Sequence, residues 1–273
     1  MLYSHARPPL VISQPMRQRE GMDTDTASRP LSRIALGGFV LALVAGLMLI
    51  LAGAGYRLGW WDFRPGLTIF RWAAYGGAAA VVLSLLGTYF TRSGSTRRGF
   101  SLAVIGLVVG LVVAWIPWQW WQVVKSVPMI HDITTDTETP PVFVAILPLR
   151  AGAPNTAEYG GPEIAAQQRT GYPDLKPLTL AIPPAQAFPH ALAVAREMGW
   201  EIAANEPTEG RIEATDTTFW FGFKDDVVVR ITPAGSGSRI DVRSVSRVGK
   251  SDVGKNAERI TEYLERIARV ASS

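Results

Sequence analysis

Residues 34–54 read IALGGFVLALVAGLMLILAGA, an uncharged apolar run of 21 residues. At about 1.5 Å of rise per residue, a helix of that length matches the roughly 30 Å hydrocarbon layer of a bilayer. A membrane-spanning helix is therefore expected. Trp72–Phe90 and Phe100–Val124 repeat the signal, the second carrying Pro117 and the cluster Trp115, Trp118, Trp120 and Trp121 towards its far end. Tryptophans collect at membrane–water interfaces. Trp60 and Trp61, just after the first run, would lie at the same face if the chain crosses three times. A cleaved leader has an apolar core of only about 7–15 residues. The first run is longer and two more follow it, so it reads as an anchor.

The whole composition agrees. Of 273 residues, 48% are hydrophobic and 18% charged, too apolar for an ordinary soluble chain, and the excess lies between Ile34 and Val124. The net charge of +4 comes largely from arginines around the apolar runs, which points to lipid and topology rather than to nucleic acid. With no cysteine, disulfides, thiolate metal sites and a cysteine nucleophile are excluded.

Orientation follows from the basic residues near the runs. Arg17, Arg19, Arg29, Arg33, Arg92, Arg97 and Arg98 lie on one side; Arg57, Arg64, Arg71 and Lys125 lie on the other. The richer side is expected in the cytoplasm. That places the amino terminus inside and everything after Lys125 outside the cytoplasmic membrane, as a periplasmic domain if the membrane is a bacterial inner membrane. Met16 and Met22 are alternative starts, and residues 1–30 read as a flexible tail. Gly106 and Gly110 stand at close-packing spacing, as do Gly76, Gly77 and Ala80. They suit packing among the three helices or a homo-oligomer seam. No acidic, histidine or lysine side chain lies within the runs, and Arg71 is near enough to an end to snorkel. An ion pathway is not expected.

After the anchor, 31–124, the composition turns to Pro, Thr, Asp and Gly. Residues 125–180 read as an irregular connecting segment, and 181–273 as an α+β domain. Phe188–Met198 is a helix candidate, with Pro189 tolerable only in its first turn and Gly199 as a stop. Strands are expected at Trp200–Ala204, Arg211–Thr218, Val227–Thr232 and Arg239–Val245, with Pro233–Ser238 as a hairpin loop. A final helix over Gly254–Val270 puts Ile260, Leu264, Ile267 and Ala271 on one stripe, with Glu262/Arg266 and Glu265/Arg269 paired on the other. The fold class is α+β: three transmembrane helices, then a two-layer domain with an antiparallel sheet of about four strands and two helices.

Five segments carry a resemblance: His131–Thr137 (HDITTDT), Tyr172–Asp174 (YPD), Gly210–Thr215 (GRIEAT), Trp220–Asp226 (WFGFKDD) and Ser246–Asp252 (SRVGKSD). In this order they resemble the domain-of-unknown-function family 1499, over about 127–269. Thr139 departs from the Asn that the family pattern often has before the Pro pair. The resemblance implies a domain boundary and no activity.

Candidate chemistry is sparse. His131, Asp132 and Asp136, joined by Asp225 or Asp226, form the nearest approach to a metal or general-base group. Thr134, Thr135 and Asp136 equally suit turn and cap roles. Strand alternation puts Arg211, Glu213, Thr215, Arg230, Asp241 and Arg243 on one polar face, either as cross-strand ion pairs or as a surface for an anionic ligand. Residues 244–251 fail as a phosphate loop, because Ser244 stands where glycine is required. Arg247 and Lys250 beside a helix amino terminus suit an anion, while Asp252 suits a cap. Trp220, Phe221 and Phe223 form either an aromatic platform or packing.

Three functions follow as expectations. The leading one is a membrane-anchored, non-enzymatic binding module outside the cytoplasm, taking an anionic lipid or envelope component, with no cofactor identified. A metal-assisted hydrolase built on His131 is the second. A structural subunit of a membrane complex is the third.

Overall fold

The computed structural model describes residues 29–272. The tail with Met16, Arg17, Arg19 and Met22 therefore lies outside the described residues, save its last two positions. Three helices are long and apolar enough to cross a membrane: α1, Arg33–Arg57; α2, Phe63–Thr91; and α3, Phe100–Ser126. α1 extends its apolar run by one residue at the start and three at the end, α2 by nine residues before Trp72 and one after Phe90, and α3 by two residues at its far end.

The described chain forms two compact units. One comprises the stretches up to Ala45 and Gly76–Val112. Small residues let its helices close on one another. A Cβ on Gly106 would stand 2.7 Å from the Ser84 hydroxyl and 2.9 Å from Phe39 Cα, and one on Gly110 would stand 3.1 Å from the Gly77 carbonyl. Both glycines thus face neighbours of their own chain, as close backbone approach in lipid requires.

The second unit, Gly46–Tyr75 with Val113–Ser273, holds the sheet domain. Its elements are β1 (Asp132–Thr134), a 3-10 turn (Leu147–Arg150), α4 (Gly161–Gly171), β2 (Leu178–Leu180), α5 (Pro184–Glu197), β3 (Glu201–Glu206), β4 (Arg211–Thr217), β5 (Lys224–Ala234), β6 (Gly237–Ser246) and α6 (Lys255–Ala271). The sheet is antiparallel throughout, in the order β1-β6-β5-β4-β3, and β2 also pairs β6. Six strands are therefore present rather than four. The two additions lie in the stretch expected to be irregular, which also contains α4. Both are three residues long, and they sit end to end along one edge of β6, Thr134 opposite Arg243 and Leu178 opposite Ile240.

The hairpin is tighter than expected. Pro233 pairs with Ser238 and Ala234 with Gly237, leaving a two-residue turn at Gly235-Ser236 with Gly235 at φ +59°. Pro189 is not in the first turn of its helix, because α5 begins at Pro184. The core lies between one sheet face and α5 and α6. Ile212, Val227, Val229, Ile240 and Val242 meet Phe188, Val194, Ile260, Tyr263 and Ile267 there. The Tyr263 hydroxyl donates to the Ala191 carbonyl at 2.9 Å, tying the two helices together.

Candidate functional site

The opposite face of the sheet carries the charged residues, and it is not open. Residues 136–160 fold back over it as a strap, pinned by side chains that alternation aims outward. Glu213, 0% exposed, accepts backbone N–H bonds from Val144 at 3.0 Å, Ala145 at 3.1 Å and Ile146 at 2.8 Å, and is paired with Arg211. A carboxylate fits there because the start of the 3-10 turn presents unpaired amides.

Asp226 is fully buried between two arginines. Arg150 of the strap donates to it, Arg247 adds bonds at 2.9 and 2.8 Å, and the Thr215 hydroxyl one at 2.7 Å. Arg243 is 2% exposed and grips Asp132 in two parallel bonds, at 2.9 and 2.8 Å. It also donates to the carbonyls of Pro141 and Ala157, and its guanidinium lies 5.3 Å from the Phe143 ring centre and 5.5 Å from that of Tyr159. Burial, followed by the nearby Asp132 charge, pushes the Tyr159 hydroxyl up to about 12. Towards the hairpin, Arg230 and Arg239 bridge Asp136 and Asp241 at 2.9–3.1 Å.

The expectation of an exposed arginine face is corrected here. Glu213, Asp241 and Arg243 are buried, while Arg211 and Arg230 keep partial exposure. Arg230 does pair with Asp241 directly across the strands, as alternation suggested. Asp136 takes N–H bonds from Glu138 and Thr139 and the Thr139 hydroxyl at 2.8 Å, the turn role expected for it. Burial raises its carboxyl, but these bonds and the Arg239 charge outweigh that, leaving it below the ordinary carboxylate value.

The carboxylates grouped around His131 are separated. Asp225 and Asp226 are neighbours in a strand and so point to opposite faces. Asp225 is held by Arg259 at 2.7 Å on the helix side, where Arg259 also holds Asp216. His131 Nδ1 lies 3.4 Å from the Lys250 carbonyl, and the Lys250 side chain is exposed. Among the described residues, no three histidine, aspartate or glutamate side chains gather as a metal site. Asp252 accepts from the amides of Gly254 and Asn256, both at 2.9 Å, and so caps α6.

An open cleft of about 500 Å3 lies elsewhere in the same unit. Tyr56 and Asp62 line it from the end of α1 and the following loop, Leu149 and Gly152 from the strap, Lys224 from the start of β5, and Arg247 from just after β6. Of these only Arg247 stood out in the sequence. Lys224 begins a strand and Arg150 ends an apolar run, and neither position carries a periodic signal.

The aromatic loop between β4 and β5 packs on α1, α2 and α3 within its own unit. A Cβ on Gly53 would come within 2.4 Å of the Trp220 ring. Phe70 lies 5.5 Å and Trp120 6.4 Å from Trp220 between ring centres, and Phe221 stacks on Phe223 at 4.9 Å. Packing, rather than an open platform, is what Trp220 and Phe221 do.

In comparison with known proteins, residues 132–267 match the family model described as "Protein of unknown function (DUF1499)". No curated protein matches the chain. The match spans the domain from β1 into α6, including the strap and every buried arginine–carboxylate pair described above. Residues 132–267 therefore form a domain of the DUF1499 family of proteins of unknown function.

Proposed function

We propose that this protein is a membrane-anchored binding module, and that its ligand is an anionic headgroup or envelope component seated in the cleft at the end of α1. The observation that carries the reading is the cleft's position and charge. It opens beside the last residues of an apolar helix, with Lys224, Arg247 and Asp62 in its wall. A phosphate or carboxylate at a bilayer surface would meet two cations there, and charge-assisted bonds are the stronger kind. Arg247 is already engaged with Asp226, so Lys224 is the side chain that discriminates. The hydrolase reading is less well supported, because each carboxylate it requires already has an arginine partner.

The test uses the full chain in mixed micelles of phosphatidylglycerol and phosphatidylcholine, with bound lipid read by native mass spectrometry. Lys224→Glu is expected to reduce the preference for phosphatidylglycerol about tenfold or more, the equivalent of one charge-assisted hydrogen bond. An unchanged preference would overturn the cleft as the site.

The reading also places the cleft outside the cytoplasm, on the arginine bias of the loops. Alkaline phosphatase fused after Ser273 should be active, and a cytoplasm-dependent reporter fused there inactive. The reverse pattern would overturn the orientation and leave the lipid measurement standing.

A further inference from the structure

Phe219 is 93% exposed, more than any other large apolar side chain among the described residues. Yet its two successors are packed tightly. Trp220 fills the space that glycine leaves at position 53 of α1 and lies against Phe70 of α2 and Trp120 of α3; Phe221 lies 6.3 Å from Phe70, and a Cβ on Gly66 would approach it to 3.3 Å. These seats are inside the helices rather than at their tips. Gly53 precedes the end of α1 by four residues, Phe70 follows the start of α2 by seven, and Trp120 precedes the end of α3 by six. At 1.5 Å per residue the loop therefore reaches about 6–10 Å in from the helix ends.

Phe70 stands two residues before the apolar run that begins at Trp72, and Trp120 in the tryptophan cluster of α3, so the seat lies at the interfacial end of the spans, where a loop does best to satisfy its own backbone. This one largely does. Thr218 donates its amide to the Phe223 carbonyl at 2.8 Å, Gly222 to the Thr218 carbonyl at 3.0 Å, and Phe223 to the Thr218 hydroxyl at 2.9 Å. The Phe219 carbonyl accepts from the Arg57 guanidinium. Leu58 and Trp60, at the same helix end, are also more than 60% exposed.

We infer that the loop Thr218–Phe223 is a membrane-insertion element, and that Phe219 sits in lipid at the headgroup–acyl boundary. The occupant of its exposed surface is the bilayer itself, because the neighbouring residues are continuous with helices that cross it. Trp220 and Phe221 act as a plug that fixes the loop's depth, and Phe219 is the contact with lipid. The inference rests on α1, α2 and α3 crossing the bilayer, and it is independent of the cleft's ligand.

The chain has no cysteine, so a single introduced one reports without interference. Phe219→Cys, Ile50→Cys and Ser236→Cys are each spin-labelled in the full chain in phosphatidylglycerol–phosphatidylcholine liposomes. Collision rates with oxygen, which favours lipid, and with a water-soluble nickel chelate are then compared. Ile50 is 63% exposed within α1 and serves as the lipid reference; Ser236 is exposed in the far hairpin and serves as the water reference. The label at 219 is expected to favour oxygen over nickel several-fold relative to that at 236. Because the Phe219 side chain is almost free of contacts, the labelled variant should keep the near-ultraviolet circular dichroism of the parent.

A label at 219 that matches 236, while 50 reports lipid, overturns the insertion. A label at 50 that reports water overturns instead the spanning reading beneath it. Protection of 219 from both reagents, with spin–spin broadening, shows a second copy covering Phe219 and overturns the bilayer as its occupant.

Discussion

Replacing Arg243 by methionine is expected to destabilise the sheet domain by about 3–5 kcal/mol, the usual cost of leaving one member of a buried ion pair alone. Urea unfolding of the full chain in micelles should show it as a markedly lower midpoint. The cause is local. Arg243 is 2% exposed, and without it the Asp132 carboxylate loses its ion-pair partner in a place with almost no solvent, while the carbonyls of Pro141 and Ala157 lose a donor. Arg243→Lys should recover only part of the loss, since an ammonium cannot make both parallel bonds to Asp132 and stack between Phe143 and Tyr159. The double change Arg243→Met with Asp132→Leu removes both charges together and should be clearly more stable than the single change. A double variant no better than Arg243→Met would sink the explanation by an orphaned carboxylate.

Glu213→Ala is expected to cost about 2–4 kcal/mol, and to do so by releasing the strap. Three backbone amides and Arg211 converge on that carboxylate, and unsatisfied buried donors are costly, on the order of 1–3 kcal/mol each before relaxation. Relaxation here means that Val144–Ile146 leave the sheet and find water. The variant should therefore be cut by a broad-specificity protease between about 137 and 149 at concentrations that leave the parent whole. Glu213→Gln keeps one acceptor but aims an amide N–H group at the same donors, so it should fall between the two. Intact straps in Glu213→Ala, together with a parent-like urea midpoint, would show that Phe143, Ile146 and Arg150 hold the segment without Glu213.

How much of this was legible beforehand depended on how local each property is. Whether a stretch can cross a membrane is decided by about 20 consecutive residues, so Ile34–Ala54 and its two successors could be read directly. The long strands and α6 carry their own periodicity, in which Ile212, Val227, Val229 and Ile240 alternate and Ile260, Leu264 and Ile267 recur at helical spacing. The antiparallel α+β domain followed from them. β1 and β2 were not legible, because a three-residue strand has no period; each exists only because β6 offers it an edge. The burial of the arginines was hidden for a related reason. Alternation says on which side of a sheet a residue stands, and it carries no information about what covers that side. Residues 136–160 looked like an irregular connection, since a strap held by Glu213, Asp226 and Arg243 needs no pattern of its own. By itself the sequence determined the three apolar helices, the order of the main strands and the polar side of the sheet. Only the tertiary structure decided that this side is closed, and that Trp220 fits against Gly53, because both depend on surfaces brought together from distant parts of the chain.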